Sequence, residues 1–145
     1  MQRNILRQVE HRLRDRGLRL TDARRAVVER LGDADGPRSA AELSADLDGE
    51  VPLSSLYRSL SVLEEAGVLA PHHGVRGLTR YELAEWLVGH HHHLVCTHCG
   101  LVEDVPIPTD LEARLDTLIG AVAGAAGFSP SDHALEIEGR CERCR

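Results

Sequence analysis

Two Cys-x-x-Cys pairs, Cys96-Thr97-His98-Cys99 and Cys141-Glu142-Arg143-Cys144, stand in the last third of the chain, and a run of four histidines, His90 to His93, precedes the first pair. Thiolates at i and i+3 can grip one tetrahedral Zn2+ from a tight turn. Two such pairs complete a four-sulfur site with no open position, which suits a structural role and not a catalytic one. The histidines exceed what that site needs and point to a second metal. Four cysteines could instead form two disulfides or a redox pair. Against this, Met1-Gln2-Arg3-Asn4-Ile5 has no apolar run of the kind a signal peptide carries, and no stretch approaches a membrane span. A cytoplasmic protein with no membrane partner is expected, and in a reducing cytosol paired Cys-x-x-Cys reads first as a metal site. The histidine run is internal and leads into Leu94-Val95, unlike an expression tag.

The elements that hold these ligands must be built from 145 residues, enough for one domain or two small ones. A domain of about 60 residues is marginal alone and often needs a metal. With one Phe and one Trp, the core must come from Leu, Val, Ala and Ile. Every basic residue is Arg, and the net charge of −6 argues against a generally sticky nucleic-acid coat. The charge is uneven. Residues 1–80 hold 13 Arg against 12 acids, and residues 81–145 hold 4 Arg against 11 acids. The first 30 residues alone hold 9 Arg against 4 acids. A basic front before an acidic, ligand-rich rear suggests nucleic acid in front, with metal and assembly behind.

Ile5, Val9 and Leu13 recur at helical spacing, and Gly17 closes that helix. Thr21 caps a second helix carrying Ala26, Val27 and Leu31. Ser39-Ala40-Ala41-Glu42 is a capping box that opens a third. After Pro52, Ser54 or Ser55 is expected to cap a fourth, with Leu56, Leu60 and Leu63 on one face and Gly67 at its end. Val68-Leu69 and Leu78 to Leu83 then read as short strands around the turn 74–77. Helices followed by a hairpin give the order of a winged helix-turn-helix over residues 1–83, with 84–89 as a hinge. Residues 90–145 read strand, strand, helix, strand: His92 to Cys96, Leu101 to Val105, a helix opened by a Thr109-Asp110-Leu111-Glu112 capping box, and Ala134 to Glu138. The expected class is α+β. The cysteine pairs lie too far apart for a compact zinc ribbon, so a shared metal must clamp the C-terminal tail onto the first cysteine turn.

On the fourth helix, Ser55, Tyr57, Arg58 and Ser59 lie off the leucine stripe. A guanidinium for guanine or phosphate, small hydroxyls that permit approach and an aromatic for a thymine methyl are what a recognition helix needs. An ordinary amphipathic helix with one exposed Arg would look the same in isolation. The helix order, the hairpin and the Arg-rich front favour DNA. Arg19, before Thr21, could reach a phosphate or the minor groove.

Taken together, Gly17 to Arg24, Leu56 to Leu60, Leu63 to Gly67, Arg80-Tyr81-Glu82, His90 through Gly100, and Gly127-Phe128 through His133 to Cys144 resemble the ferric uptake regulator family of bacterial metal-responsive repressors. The resemblance covers most of the chain. It implies a dimeric winged-helix protein that binds a double-stranded, palindromic DNA operator. It also implies a C-terminal α/β dimerisation domain with structural Zn2+ on Cys96, Cys99, Cys141 and Cys144. A sensory metal at the hinge is implied too, on His91 and His93 with Glu82 as third ligand. Alternate strand residues share a face, so His90 and His92 would look to another ion, which the family pattern completes with Glu112 and His133. Many iron-type members carry a sensor His where this chain has Pro37-Arg38. Arg38 to Leu43 looks instead like the zinc uptake branch, whose usual hinge Cys near Leu83-Ala84 is missing here. His72, His73 or Asp104 could take its place. Imidazole and carboxylate suit Zn2+, Fe2+, Ni2+ and Mn2+ alike, so the sensory ion is expected to be Zn2+ with the other three as alternatives.

Other classes fit less well. A zinc enzyme would need an open metal position and a base such as Glu82 or Glu103, and no His-Glu-x-x-His or deaminase signature is present. A peroxide sensor of the same fold is disfavoured by the missing His near residue 37. A metal-storage protein or metallochaperone would need no DNA face.

Overall fold

The first helix of the computed structural model, which describes residues 1–145, is α1 (Gln2–Arg14); it buries Ile5, Val9 and Leu13 at four-residue intervals. Helix α2 (Asp22–Gly32) starts where Thr21 Oγ1 accepts the Arg24 amide at 3.3 Å, and it buries Ala26, Val27, Val28 and Leu31. Helix α3 (Ala40–Asp46) opens on the full capping box, with the Glu42 amide donating to Ser39 Oγ at 3.1 Å and the Ser39 amide donating to Glu42 Oε2 at 2.7 Å. Caps of this kind stabilise a helix by about 1 kcal/mol.

Helix α4 (Leu53–Glu65) begins earlier than the serines suggest. Pro52, with φ fixed at −56°, is the N-cap residue, and its carbonyl accepts the Leu56 amide at 2.9 Å. The chain is therefore helical before Ser54 or Ser55 can cap it, and no side chain caps this end. Ser59 also differs from expectation. Three residues after Leu56, it falls on the inward stripe and is buried with Leu56, Leu60 and Leu63. The helix ends at Gly67, whose φ of +69° lets the Val68 amide donate back to the Leu63 carbonyl at 2.9 Å.

Three strands of this unit pair antiparallel in the order β1-β3-β2: β1 (Arg38–Ser39), β2 (Leu69–His73) and β3 (Thr79–Leu83). The two-residue β1 is too short to leave an alternation in the sequence. Strand β2 runs past Leu69 to take in His72 and His73, and a single 3-10 turn, Val75–Gly77, reverses the chain. One turn of helix, α5 (Glu85–Val88), occupies the segment expected as a hinge. These elements form the first of two compact units, Met1–His90, around a core whose fully buried members include Val9, Leu13, Val27, Leu43, Leu56, Leu63 and Val68. Each such side chain contributes about 1.5–3 kcal/mol.

The second unit, His91–Arg145, is a three-stranded sheet and one helix. Strand β4 (His92–Cys96) is central, antiparallel to β5 (Val102–Val105) and parallel to β6 (Glu136–Gly139). The parallel pairing requires a crossover, and α6 (Thr109–Ala125) supplies it. The expected Thr109 capping box is absent: Pro108 is the N-cap, Thr109 is already helical, and the Glu112 amide donates to the Pro108 carbonyl at 3.0 Å. That frees the Glu112 carboxylate for another partner. The buried apolar set of this unit is thin, Val95, Cys96, Val102 and Ala123, whereas Leu111, Leu118, Val122 and Phe128 are exposed. No helix of the protein is long and apolar enough to cross a membrane.

Candidate metal centres and nucleic-acid interface

The pairing of β4 with β6 brings the two cysteine pairs together. Cys96 ends β4, and its register partner on β6 is Gly139, two residues before Cys141. Thr97 fixes the join, its amide and its hydroxyl donating to the Gly139 carbonyl at 2.8 and 3.1 Å. Gly100, at φ +79°, turns the chain back, so that its amide donates to the Cys96 carbonyl at 2.9 Å and the Cys96 amide donates to the Leu101 carbonyl at 2.8 Å. All four cysteines are free thiols, and their sulfurs lie within 4.8 Å of one another. The Cys99 and Cys141 sulfurs are 3.8 Å apart. A tetrahedron with metal–sulfur bonds of about 2.3 Å has edges of roughly 3.8 Å, so the cluster has the dimensions such an ion requires. Amides point inward as well: those of Cys141 and Cys99 donate to Cys96 Sγ at 3.4 and 3.5 Å. These N–H groups hold the Cys96 thiol down at about 5. The Cys144 thiol is pushed up to about 12 because it is held protonated against the Cys141 sulfur. Four sulfurs this close do not all ionise without a cation between them. His98 lies outside the group.

Alternation along β4 divides the histidines. His92 points to α6, where its Nε2 lies 3.0 Å from Glu112 Oε2. His133, on the loop after α6, brings its Nε2 to 2.9 Å from Glu112 Oε1, and its ring stacks on that of His92 with centroids 5.2 Å apart. The hydrogen bond from His92 in particular holds the Glu112 carboxyl below the usual carboxylate range. His91 and His93 look the other way. Asp104 is the register partner of His93 across β5, and its Oδ1 lies 3.4 Å from His93 Nε2 and 3.8 Å from His91 Nε2. The two rings meet edge to face at 5.1 Å. Within the second unit, then, His92, Glu112 and His133 form one convergent set, and His91, His93 and Asp104 form another. Each pairs two imidazoles with a carboxylate, a donor set suited to first-row divalent ions with positions left for further ligands.

The remaining candidates sit in the first unit. Glu82 is half-buried on β3 opposite Ala70. His72 is buried on β2 opposite Arg80, while His73 is exposed and lies 3.4 Å from the Thr79 hydroxyl. His90 places Nδ1 3.0 Å from Glu85.

The first unit also presents α4. Tyr57 and Arg58 are exposed side by side near its N-terminal half, and Ser55 is half-exposed. Arg19 is exposed in the loop before α2, and its carbonyl accepts from Arg24 Nη1 at 2.6 Å, which shapes that loop. Two features escape sequence reasoning. The Arg80 guanidinium is buried against Glu42 at 3.2 Å, joining the sheet to the α3 cap. Trp86 donates its indole N–H to the Gly67 carbonyl at 2.7 Å and lies beneath the Arg12 guanidinium at 4.3 Å, tying α5 to α1. The first pair is distant in sequence and has no motif. A lone tryptophan beside a Gly-ended helix was the available signal for the second.

Comparison with known proteins gives a consistent picture. The pattern of the ferric uptake regulator family matches residues 15–138. The ferric uptake regulation protein of Legionella pneumophila is 35% identical over 137 residues, 92% of this chain and 96% of that protein. The ferric uptake regulator of Helicobacter pylori has the same fold, with a TM-score of 0.77 at 24% identity over 99% of this chain and 93% of its own. A zinc-bound manganese uptake regulator superposes with a TM-score of 0.69 at 30% identity, covering 92% of this chain and 98% of its own.

Proposed function

Because the chain belongs to the ferric uptake regulator family of metal-responsive, DNA-binding, homodimeric repressors, and is not an enzyme, we propose that it represses metal-uptake genes in response to zinc. The observation that carries the reading is the division of β4: one cysteine knuckle and two histidine–carboxylate sets on opposite faces of a single strand. Each set has its own task. Cys96, Cys99, Cys141 and Cys144 hold structural Zn2+, which replaces protons on the sulfurs and fastens β6 to β4. His91 and His93 bind the sensory ion with Glu82 as third ligand, and Asp104 takes the place of the missing hinge cysteine, His72 or His73 being the alternative. His92, Glu112 and His133, with His90, bind a second ion within the dimerisation domain, residues 90–145. The alternative is that iron, nickel or manganese is the sensory metal. Zinc is preferred on the Arg38 to Leu43 segment.

Residues 1–83 provide the DNA-binding domain. Arg58, Tyr57 and Ser55 meet base edges in the major groove, and Arg19 meets backbone phosphate. A two-fold dimer presents two such helices, so the operator is palindromic. The exposed Leu111, Leu118, Val122 and Phe128 are the surface a second copy covers. Free thiols in the four-sulfur cluster suit the reducing cytoplasm. The sensory ion acts by binding the DNA-competent arrangement more tightly than the alternatives.

The test is operator binding titrated with buffered Zn2+, Fe2+, Ni2+ and Mn2+. Zinc should activate at the lowest free concentration, and His91→Ala with His93→Ala should abolish the response while keeping the four-sulfur zinc and the dimer. Activation by another ion where zinc does nothing reassigns the metal. A normal response from the double variant removes these histidines from the sensor.

A further inference from the structure

Three groups face the ring of His133. Its Nε2 faces Glu112 at 2.9 Å, its face stacks on His92 at 5.2 Å, and its Nδ1 lies 3.6 Å from Asp116 Oδ1. Glu112 and Asp116 are one helical turn apart on α6, so their carboxylates rise from the same helix face. His133 itself sits on the irregular loop between α6 and β6, where no strand or helix dictates its side-chain direction. The two carboxylates therefore address opposite nitrogens of one imidazole. Their exposures differ in a telling way: the Glu112 side chain is 24% exposed and faces inward, whereas Asp116 is 63% exposed and stands outside the cluster.

We propose that Asp116 is a positioning residue for the second metal centre: when a cation takes the Nε2 lone pair of His133, Asp116, 3.6 Å away, closes onto Nδ1–H and holds the ring in the ligating tautomer. This rests on the metal reading of the His92, Glu112 and His133 set. The reasoning is electrostatic. An imidazole offers a cation only its unprotonated nitrogen, and the hydrogen bond made by the other nitrogen decides which one that is. A carboxylate on the far nitrogen also makes the ligating nitrogen more basic. Without a cation, Glu112 at 2.9 Å draws the proton to Nε2, and a cation bound at Nε2 displaces that proton. Asp116 supplies the opposing pull. It also fixes the ring plane of a ligand that the loop leaves otherwise unaimed.

The experiment uses the full-length dimer carrying His91→Ala and His93→Ala, with the four-sulfur site loaded, so that zinc competed against a chelator reports the second centre. Three additions are compared in that background: Asp116→Ala, Asp116→Asn and Glu112→Gln. Asp116→Ala should weaken zinc roughly 10- to 100-fold. Asp116→Asn, whose amide oxygen still accepts from Nδ1–H, should lose clearly less, and thermal stability of the protein without that second zinc should not move. In the zinc-loaded protein, the Nδ1 proton of His133 should be visible by nitrogen-15 correlation and should exchange faster after Asp116→Ala. Equal losses in the Ala and Asn variants would mean that Asp116 acts only as a negative charge, and would overturn the positioning role. An unchanged affinity for Asp116→Ala would overturn it outright. If Glu112→Gln also leaves zinc binding unchanged, the metal reading of the set fails, and this inference fails with it.

Discussion

The Glu42 carboxylate shows how one residue can serve two levels of structure. Burial alone would raise its pKa, but the Ser39 amide at 2.7 Å and the Arg80 guanidinium at 3.2 Å outweigh burial and hold it below the usual carboxylate range. A carboxyl with a lowered folded-state pKa stabilises the fold above its unfolded value and loses that contribution as pH falls through the folded value. The wild-type protein should therefore exceed Glu42→Gln in stability at neutral pH, and the gap should close as pH drops below about 4. Urea unfolding across a pH series measures this, and a gap constant to pH 3 would show that the carboxylate charge is unimportant. The Ser39–Glu42 half of this arrangement was legible in the sequence, because a capping box is local. The Arg80 half was not, because the salt bridge depends on β1 placing Ser39 opposite Arg80. The same limit hid Asp116, whose partner His133 is reached only through the folded loop.

Helix α4 keeps its packing residues on one face and the residues proposed for recognition on the other. Leu60 is buried to 2% exposure, and Leu60→Ala should destabilise the protein by about 2–5 kcal/mol. Arg58 is exposed, so Arg58→Ala should leave stability within about 0.5 kcal/mol while weakening operator binding by about 1–3 kcal/mol. Chemical denaturation and binding isotherms on the same samples separate the two. A stable Arg58→Ala protein with undiminished binding would take this face off the DNA. The leucine stripe was readable from its period, but Ser59 was not, since a small polar residue at an inward position breaks the pattern the eye follows. Helix ends behaved similarly. Thr21 and Ser39 were correctly legible as caps, whereas prolines at 52 and 108 set the starts of α4 and α6 ahead of the serines and of Thr109. In the second of these, loss of the expected capping box is what leaves Glu112 available to His92 and His133.

Across the whole molecule, the two units differ in what holds them together. The first has a continuous aliphatic core, and the second has few buried apolar residues beside its cysteine cluster. Cys96→Ser should therefore remove tightly held zinc and strip amide-exchange protection from β4, β5 and β6, leaving protection in α1 to α4. A protein that carries no zinc, or a variant with native protection throughout, would show that the cluster is not a structural metal site. The order of helices, hairpin and ligand-bearing strands was legible along the whole chain, because each motif is local and several recur in one sequence. Segment 84–89 was legible only as a break, and there the folded protein adds Trp86, its indole donating to Gly67 beneath the Arg12 guanidinium. It is the one tryptophan in the chain, so near-ultraviolet excitation makes that single connection glow above everything else. Emission should be shifted toward the red by Arg12→Ala, without any loss of helix, as water reaches the ring. An unmoved spectrum would mean that the indole is not seated there in solution. A built-in lamp just ahead of the histidine run allows that segment to be watched during metal titration with no label attached.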